Sequence, residues 1–176
     1  GATGATGSQG TVGPTGAGTP GEQGPTGATG PMGATGFSVT NNHAWFHSGL
    51  TDKQHVSPGS IVTYTGHVIS PTSTITESGG SIILPANSTF LVDVSMVGDV
   101  ATNFFLAYDA FLDNQVLPGT RTIVRAATAS VNPLVASTFI VNSSNNAPST
   151  FQIRMGSSIE NDTPIYCVKV TLTQLA

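Results

Sequence analysis

Glycine recurs at every third position through residues 1–36, and this periodicity constrains the chain more than any other feature of it. The glycines stand at Gly1, Gly4, Gly7, Gly10, Gly13 and Gly16. One residue is then missing from the period at Gly16-Ala17-Gly18, and the series resumes at Gly18, Gly21, Gly24, Gly27, Gly30, Gly33 and Gly36. Polyproline II strands wind about a common axis in threes only where every third residue has no side chain, because nothing larger than hydrogen fits where the chains meet. The period in one chain therefore implies three chains.

Composition divides the chain at the same place. Thirteen of the 21 glycines precede residue 37, whereas every aromatic residue lies from Phe37 onward. No hydrophobic core is possible before that boundary, where alanine, threonine and glycine prevail. After it, 140 residues carry enough Val, Ile, Leu and Phe to bury one core. The organisation read from this is a collagen-like Gly-X-Thr stalk over residues 1–36, with its phase break at 16–18, and a C-terminal head over residues 37–176.

Charged residues make up 8% of the sequence and the net charge is −4, which provides neither a basic stripe for nucleic acid nor a polybasic segment for a membrane surface. No apolar run approaches the roughly 20 residues needed to span a bilayer. The first residues continue a repeat rather than form the charged start of a signal peptide, so the chain is expected to begin inside a longer repeat. A single cysteine, Cys167, excludes an intrachain disulfide. Its setting, Ile165-Tyr166-Cys167-Val168-Lys169-Val170, reads as a semi-buried strand position, and no neighbouring base marks it as a nucleophile.

Within the stalk, Gly-Ala-Thr and Gly-Pro-Thr triplets prevail, proline is sparse (Pro14, Pro20, Pro25, Pro31), and Glu22 is the one charge. Threonine stands where other collagens place hydroxyproline. Intrinsic triple-helical stability is therefore low, ion pairs cannot set the stagger, and the slip at 16–18 loosens the winding locally. The head is expected to hold the three chains together. Fully wound, the segment would be on the order of 110 Å long at ~3.1 Å per residue.

After Gly36 the period changes from three to two. Residues 44–47 (Ala-Trp-Phe-His) read as an apolar lead-in that packs the end of the stalk onto the head. Strands are predicted at 61–65, 81–84, 90–96, 103–113, 121–127, 134–141, 150–155 and 165–175, separated by turns rich in Asn, Pro, Gly and Ser. In 90–96, Phe90, Val92, Val94 and Met96 face one side while Asp93 and Ser95 face the other. Residues 103–113 carry large side chains on both faces, which marks Phe104, Phe105, Leu106, Tyr108 and Phe111 as candidates for a trimer interface. About eight to ten short strands without an amphipathic helix indicate an all-β sandwich of jelly-roll type.

Motifs for chemistry are sparse. His43 and His47 would lie about 13 Å apart on an extended chain, too far for one ion. His55 and His67, one per chain around a threefold axis, remain open but unsupported. Asp109 and Asp113 share a strand face at similar separation and read as solvated or interface charges. No serine-nucleophile elbow, phosphate loop or zinc-protease motif occurs. Asn87, Asn142 and Asn161 each begin an Asn-X-Ser/Thr triplet, and all three read as turn residues. No catalytic site, metal or cofactor is expected.

The repeat together with Ser81-Ile82-Ile83-Leu84-Pro85-Ala86-Asn87-Ser88-Thr89-Phe90-Leu91-Val92-Asp93-Val94-Ser95 and the closing strand 166–175 resembles one superfamily: the trimeric jelly rolls of tumour necrosis factor and the complement globular heads. Within it, the Gly-Ala-Thr and Gly-Pro-Thr triplets look most like the BclA-like collagen-like glycoproteins of the bacterial spore exosporium. The resemblance implies a homotrimeric surface filament whose head is displayed outermost, with O-linked sugars on Thr3, Thr6, Thr15, Thr26, Thr29 and Thr35, acting in adhesion or shielding. It implies a non-enzymatic protein on the extracellular, spore-exosporium surface. The competing reading is a receptor- or glycan-binding trimeric module, such as a phage or viral fibre tip. If the head drives assembly, a peptide of residues 1–36 should show no cooperative triple-helical melt above room temperature by circular dichroism; a high melt would contradict that order of dependence.

Overall fold

The computed structural model describes residues 11, 13, 42–49, 54–101, 103–126, 132–156, 159 and 163–175. Backbone contacts divide the chain into two units, Gly1–Ser38 and Val39–Ala176. The stalk proposed for residues 1–36, including all six threonines named above, lies outside the described residues apart from positions 11 and 13.

The second unit contains twelve strands among its described residues and no helix: β1 (His43–Ser48), β2 (Gln54–Val56), β3 (Gly66–Ile69), β4 (Thr76–Ser78), β5 (Ser81–Leu84), β6 (Thr89–Gly98), β7 (Phe105–Leu112), β8 (Gln115–Val116), β9 (Thr122–Arg125), β10 (Leu134–Asn142), β11 (Ser149–Met155) and β12 (Thr163–Gln174). They form two antiparallel sheets. Sheet I runs β10-β6-β12-β1-β3 with β2 joined to β12, and sheet II runs β4-β5-β11-β7-β8 with β9 joined to β7. Strand β12 lies between β6 and β1, in the middle of sheet I.

Alternation explains how the layers close. Phe90, Val92, Val94 and Met96 of β6 point inward beside Val168, Val170 and Leu172 of β12 and Ala44 and Phe46 of β1. Opposite them stand Ile82 and Leu84 of β5, Leu106, Tyr108 and Ala110 of β7, and Phe151, Ile153 and Met155 of β11. Burying each large apolar side chain contributes about 1.5–3 kcal/mol, which makes this double layer the main source of stability. The register of β12 against β6 shifts between Ile165 and Cys167. That bulge changes the inward parity from Ile165 to Val168, and the Tyr166 hydroxyl donates to Asp99 Oδ2 at 2.9 Å.

Several sequence expectations change. Residues 44–47 are not a lead-in but the heart of β1, paired on both sides within sheet I. Residues 61–65 form no strand: Ile61 makes one isolated bridge to Arg154, and Val62 donates its N–H to the Ile153 carbonyl at 3.0 Å. The strand begins instead at Gly66, where a Cβ would lie 2.6 Å from the His47 ring, so this glycine serves close packing rather than a chain break. Asp113 leaves the face of Asp109 and enters the two-residue β7–β8 turn with Asn114, both at positive φ (49° and 65°). Asn87 likewise sits in a turn at φ 52°.

Two buried phenols differ in their partners. Tyr108 crosses the sandwich from sheet II, and its hydroxyl meets Ser137 Oγ of β10 at 2.7 Å. The Tyr64 hydroxyl has no hydrogen-bond partner among the described residues, although its ring packs 5.6 Å from that of Phe46. Burial raises both pKa values above the ordinary 10.0, for Tyr64 with help from the Glu77 carboxylate and for Tyr108 against the lowering effect of its Ser137 bond. Because both folded values are raised, the stability concerned is intact below pH 10 and is lost as pH climbs through them. By chemical denaturation at neutral pH, Tyr108→Phe should cost about 1 kcal/mol and be non-additive with Ser137→Ala, while Tyr64→Phe should be neutral or stabilising. Equal costs at the two sites would contradict this assignment.

Candidate functional site

The outer faces of the two sheets differ in chemistry. Sheet I presents Trp45 of β1 beside its cross-strand neighbour Val68 of β3 at one edge. Leu134 and Ile140 of β10 stand at the opposite edge. All four are exposed large apolar residues, from 39% at Trp45 to 60% at Leu134. Between these edges the face is polar and concave, a trough of about 640 Å³ lined by Asp93, Ser95, Ala136, Thr138, Lys169 and Thr171. Thr138 Oγ1 donates to Asp93 Oδ1. Lys169 Nζ lies 5.3 Å from the Trp45 ring centroid, and His47 packs against the same ring at 4.8 Å.

The outer face of sheet II carries arginine. Arg121, Arg125 and Arg154 lie on or beside β9 and β11, leaving Lys169 as the one described cation on the other face. Arg154 sits directly across from Asp109, stacks on Phe111 with its guanidinium carbon 4.3 Å from the ring centroid, and donates to Asn114 Oδ1 at 2.6 Å and to Gln152 Oε1. Arg121 Nε stands 3.7 Å from Asp109 Oδ1. Arg125 Nη2 donates to Asn103 Oδ1 at 2.8 Å.

The five trimer-interface candidates therefore separate. Leu106 and Tyr108 are fully buried in the core of a single head and have no side-chain surface to offer a second copy. Alternation turned them inward, and only their neighbours remain outside. Phe105 and Phe111 are half-buried on the arginine face, and Phe104, just before β7, is 40% exposed. Sequence reasoning missed the apolar edges of sheet I, because Trp45 was assigned to a lead-in and the alternation of β10 (exposed at Leu134, Ala136, Thr138 and Ile140) was not followed outward.

The histidines do not converge. His43 and His47 flank Trp45 on the outer side of β1, His55 lies in β2, and His67 lies 6.1 Å from Phe46. Among the described residues no three of His, Cys, Asp and Glu gather as a metal-binding group, and no helix is long and apolar enough to cross a membrane. Cys167 is half-buried on β12. Asn142 closes β10 and accepts from Thr89 Oγ1 at 2.8 Å; Asn161 lies outside the described residues.

The sequence matches no protein-family model and no curated protein. Solved structures do match. The globular domain of the zebrafish complement 1qA protein is 10% identical with a TM-score of 0.54, over 77% of this chain and 96% of that one. Murine APRIL is 9% identical at a TM-score of 0.51, over 76% and 99%. The Eiger TNF from S. frugiperda is 11% identical at 0.50, over 76% and 92%. At these identities the likeness is one of fold. The head is a two-sheet jelly roll of the complement and tumour necrosis factor kind.

Proposed function

We propose that the chain is a non-enzymatic, homotrimeric surface protein in which the head assembles three copies and so aligns three Gly-X-Thr stalks. The observation that carries this reading is the pair of separate apolar edges on one face of sheet I. A two-fold contact needs a single self-complementary patch, whereas a ring joins two different patches, edge to edge, around the axis. Leu134 and Ile140 of one head would meet Trp45 and Val68 of the next, and three such contacts close on the count that the glycine period requires.

Energetics favour this face over residues 103–113. Among the described residues, covering sheet II would desolvate three arginines together with Asp109, while covering sheet I would desolvate Lys169 and Asp93. The arginine face is then left outward as the displayed surface. The threonine-rich triplets support a sugar-bearing spacer, and with the resemblance to exosporium glycoproteins they support a filament on a spore surface that acts in adhesion or shielding. A viral or phage fibre tip shares the same assembly.

Trp45 is the one tryptophan of the chain and reports on this contact directly. Its emission should shift to the blue as protein concentration rises and copies associate. Ile140→Asp, at a site 58% exposed in the single head, should weaken association by at least about tenfold and hold the emission red-shifted. An emission maximum independent of both concentration and Ile140→Asp would overturn the assignment of this face.

A further inference from the structure

We infer that the cleft on the outer face of sheet II is a binding site for an acidic saccharide, a sugar unit carrying a carboxylate beside free hydroxyls. The cleft has a volume of about 360 Å³ and is lined by Gly59, Asp109, Phe111, Val116, Arg121 and Arg154, with Met155 below. That volume lies at the lower end of the range of small-molecule pockets. It opens where β8 and β9 both meet the same edge of β7: Phe111 pairs with Val116, Tyr108 pairs with Thr122, and the intervening loop carries Arg121 to the position beside Asp109.

Charge and preorganisation point to an anion. Arg154 is held by neutral groups, the amide oxygens of Gln152 and Asn114 and the face of Phe111. None of these cancels its charge, and together they fix the guanidinium plane before a ligand arrives. Arg121 adds a second guanidinium with its side chain 48% exposed, 3.7 Å from the Asp109 carboxylate, which is 18% exposed. Among the described residues that line it, the cleft carries two guanidiniums and one carboxylate, in a chain whose net charge is −4.

Asp109 narrows the choice of anion. A bare sulfate meets that carboxylate with repulsion and brings it no donor, and an acidic peptide brings a negative charge on each side chain for the few backbone N–H groups it can offer. A sugar acid offers its carboxylate to the two arginines and its hydroxyls to Asp109, while its apolar ring face can lie on Val116, which is 52% exposed. This cleft is formed within one head, so the inference goes beyond the assembly reading, and the two fail by different readouts: heat of ligand binding here, tryptophan emission there.

The experiment is calorimetric titration of the full chain with trigalacturonate, maltotriose, triglutamate and sodium sulfate. Saturable binding of trigalacturonate, at least about tenfold stronger than that of the other three, is expected. Arg121→Ala and Arg154→Lys should each weaken it by about tenfold, the loss of one charged hydrogen bond, with the thermal midpoint of Arg121→Ala unchanged. Absence of trigalacturonate binding, equal binding of maltotriose, triglutamate or sulfate, or binding indifferent to Arg121→Ala would each overturn the proposal.

Discussion

The head depends on the pairing of β6 with β12. These two long strands run antiparallel through the middle of sheet I, in register from Val97 opposite Cys167 to Phe90 opposite Gln174. Every second residue of each enters the core, so one ladder fixes both the sheet's hydrogen bonding and the floor against which sheet II packs. A slip of one residue would expose Phe90, Val92, Val94 and Met96 together. Strands β1 and β10 add to the two flanks of this pair.

That dependence explains what could be read from the sequence. The alternation in 90–96 is strict because one face of β6 is wholly buried, and 81–84 and 150–155 likewise turn a buried face inward. The inner face of β10 is buried at Val135 and Val141 and half-buried at Ser137 and Phe139. Strands β2 and β4 have three residues each, too few for a period to show. Gly66 resembled a break because sequence alone does not reveal the His47 ring that excludes a side chain there. The bulge near Tyr166 interrupts the parity of β12 inside the strand predicted at 165–175. Residues 103–113 carried large side chains on both faces, and both faces do have uses: Leu106 and Tyr108 build the core, while Phe111 supports Arg154.

The surface was harder to read because it depends on which sheet each strand joins. Trp45, Val68, Leu134 and Ile140 are scattered over nearly a hundred residues and share a face only through the order β10-β6-β12-β1-β3. Arg121 and Arg154 are brought near Asp109 by the β7–β11 and β7–β9 pairings. Two faces result: sheet I is polar between the exposed apolar residues of its two edges, while sheet II carries three arginines beside exposed Val116 and Ile123. In the proposed assembly the Gly-X-Thr period would set the number of chains, and the apolar edges of sheet I would supply the attraction between heads.

The central claim is therefore about stoichiometry, and the solution mass of the full chain addresses it most directly. Sedimentation equilibrium at micromolar concentration should give about 54 kDa, three copies of the 17.9 kDa chain. A species that stays at 17.9 kDa, or one that settles at about 36 kDa as a dimer, would contradict it.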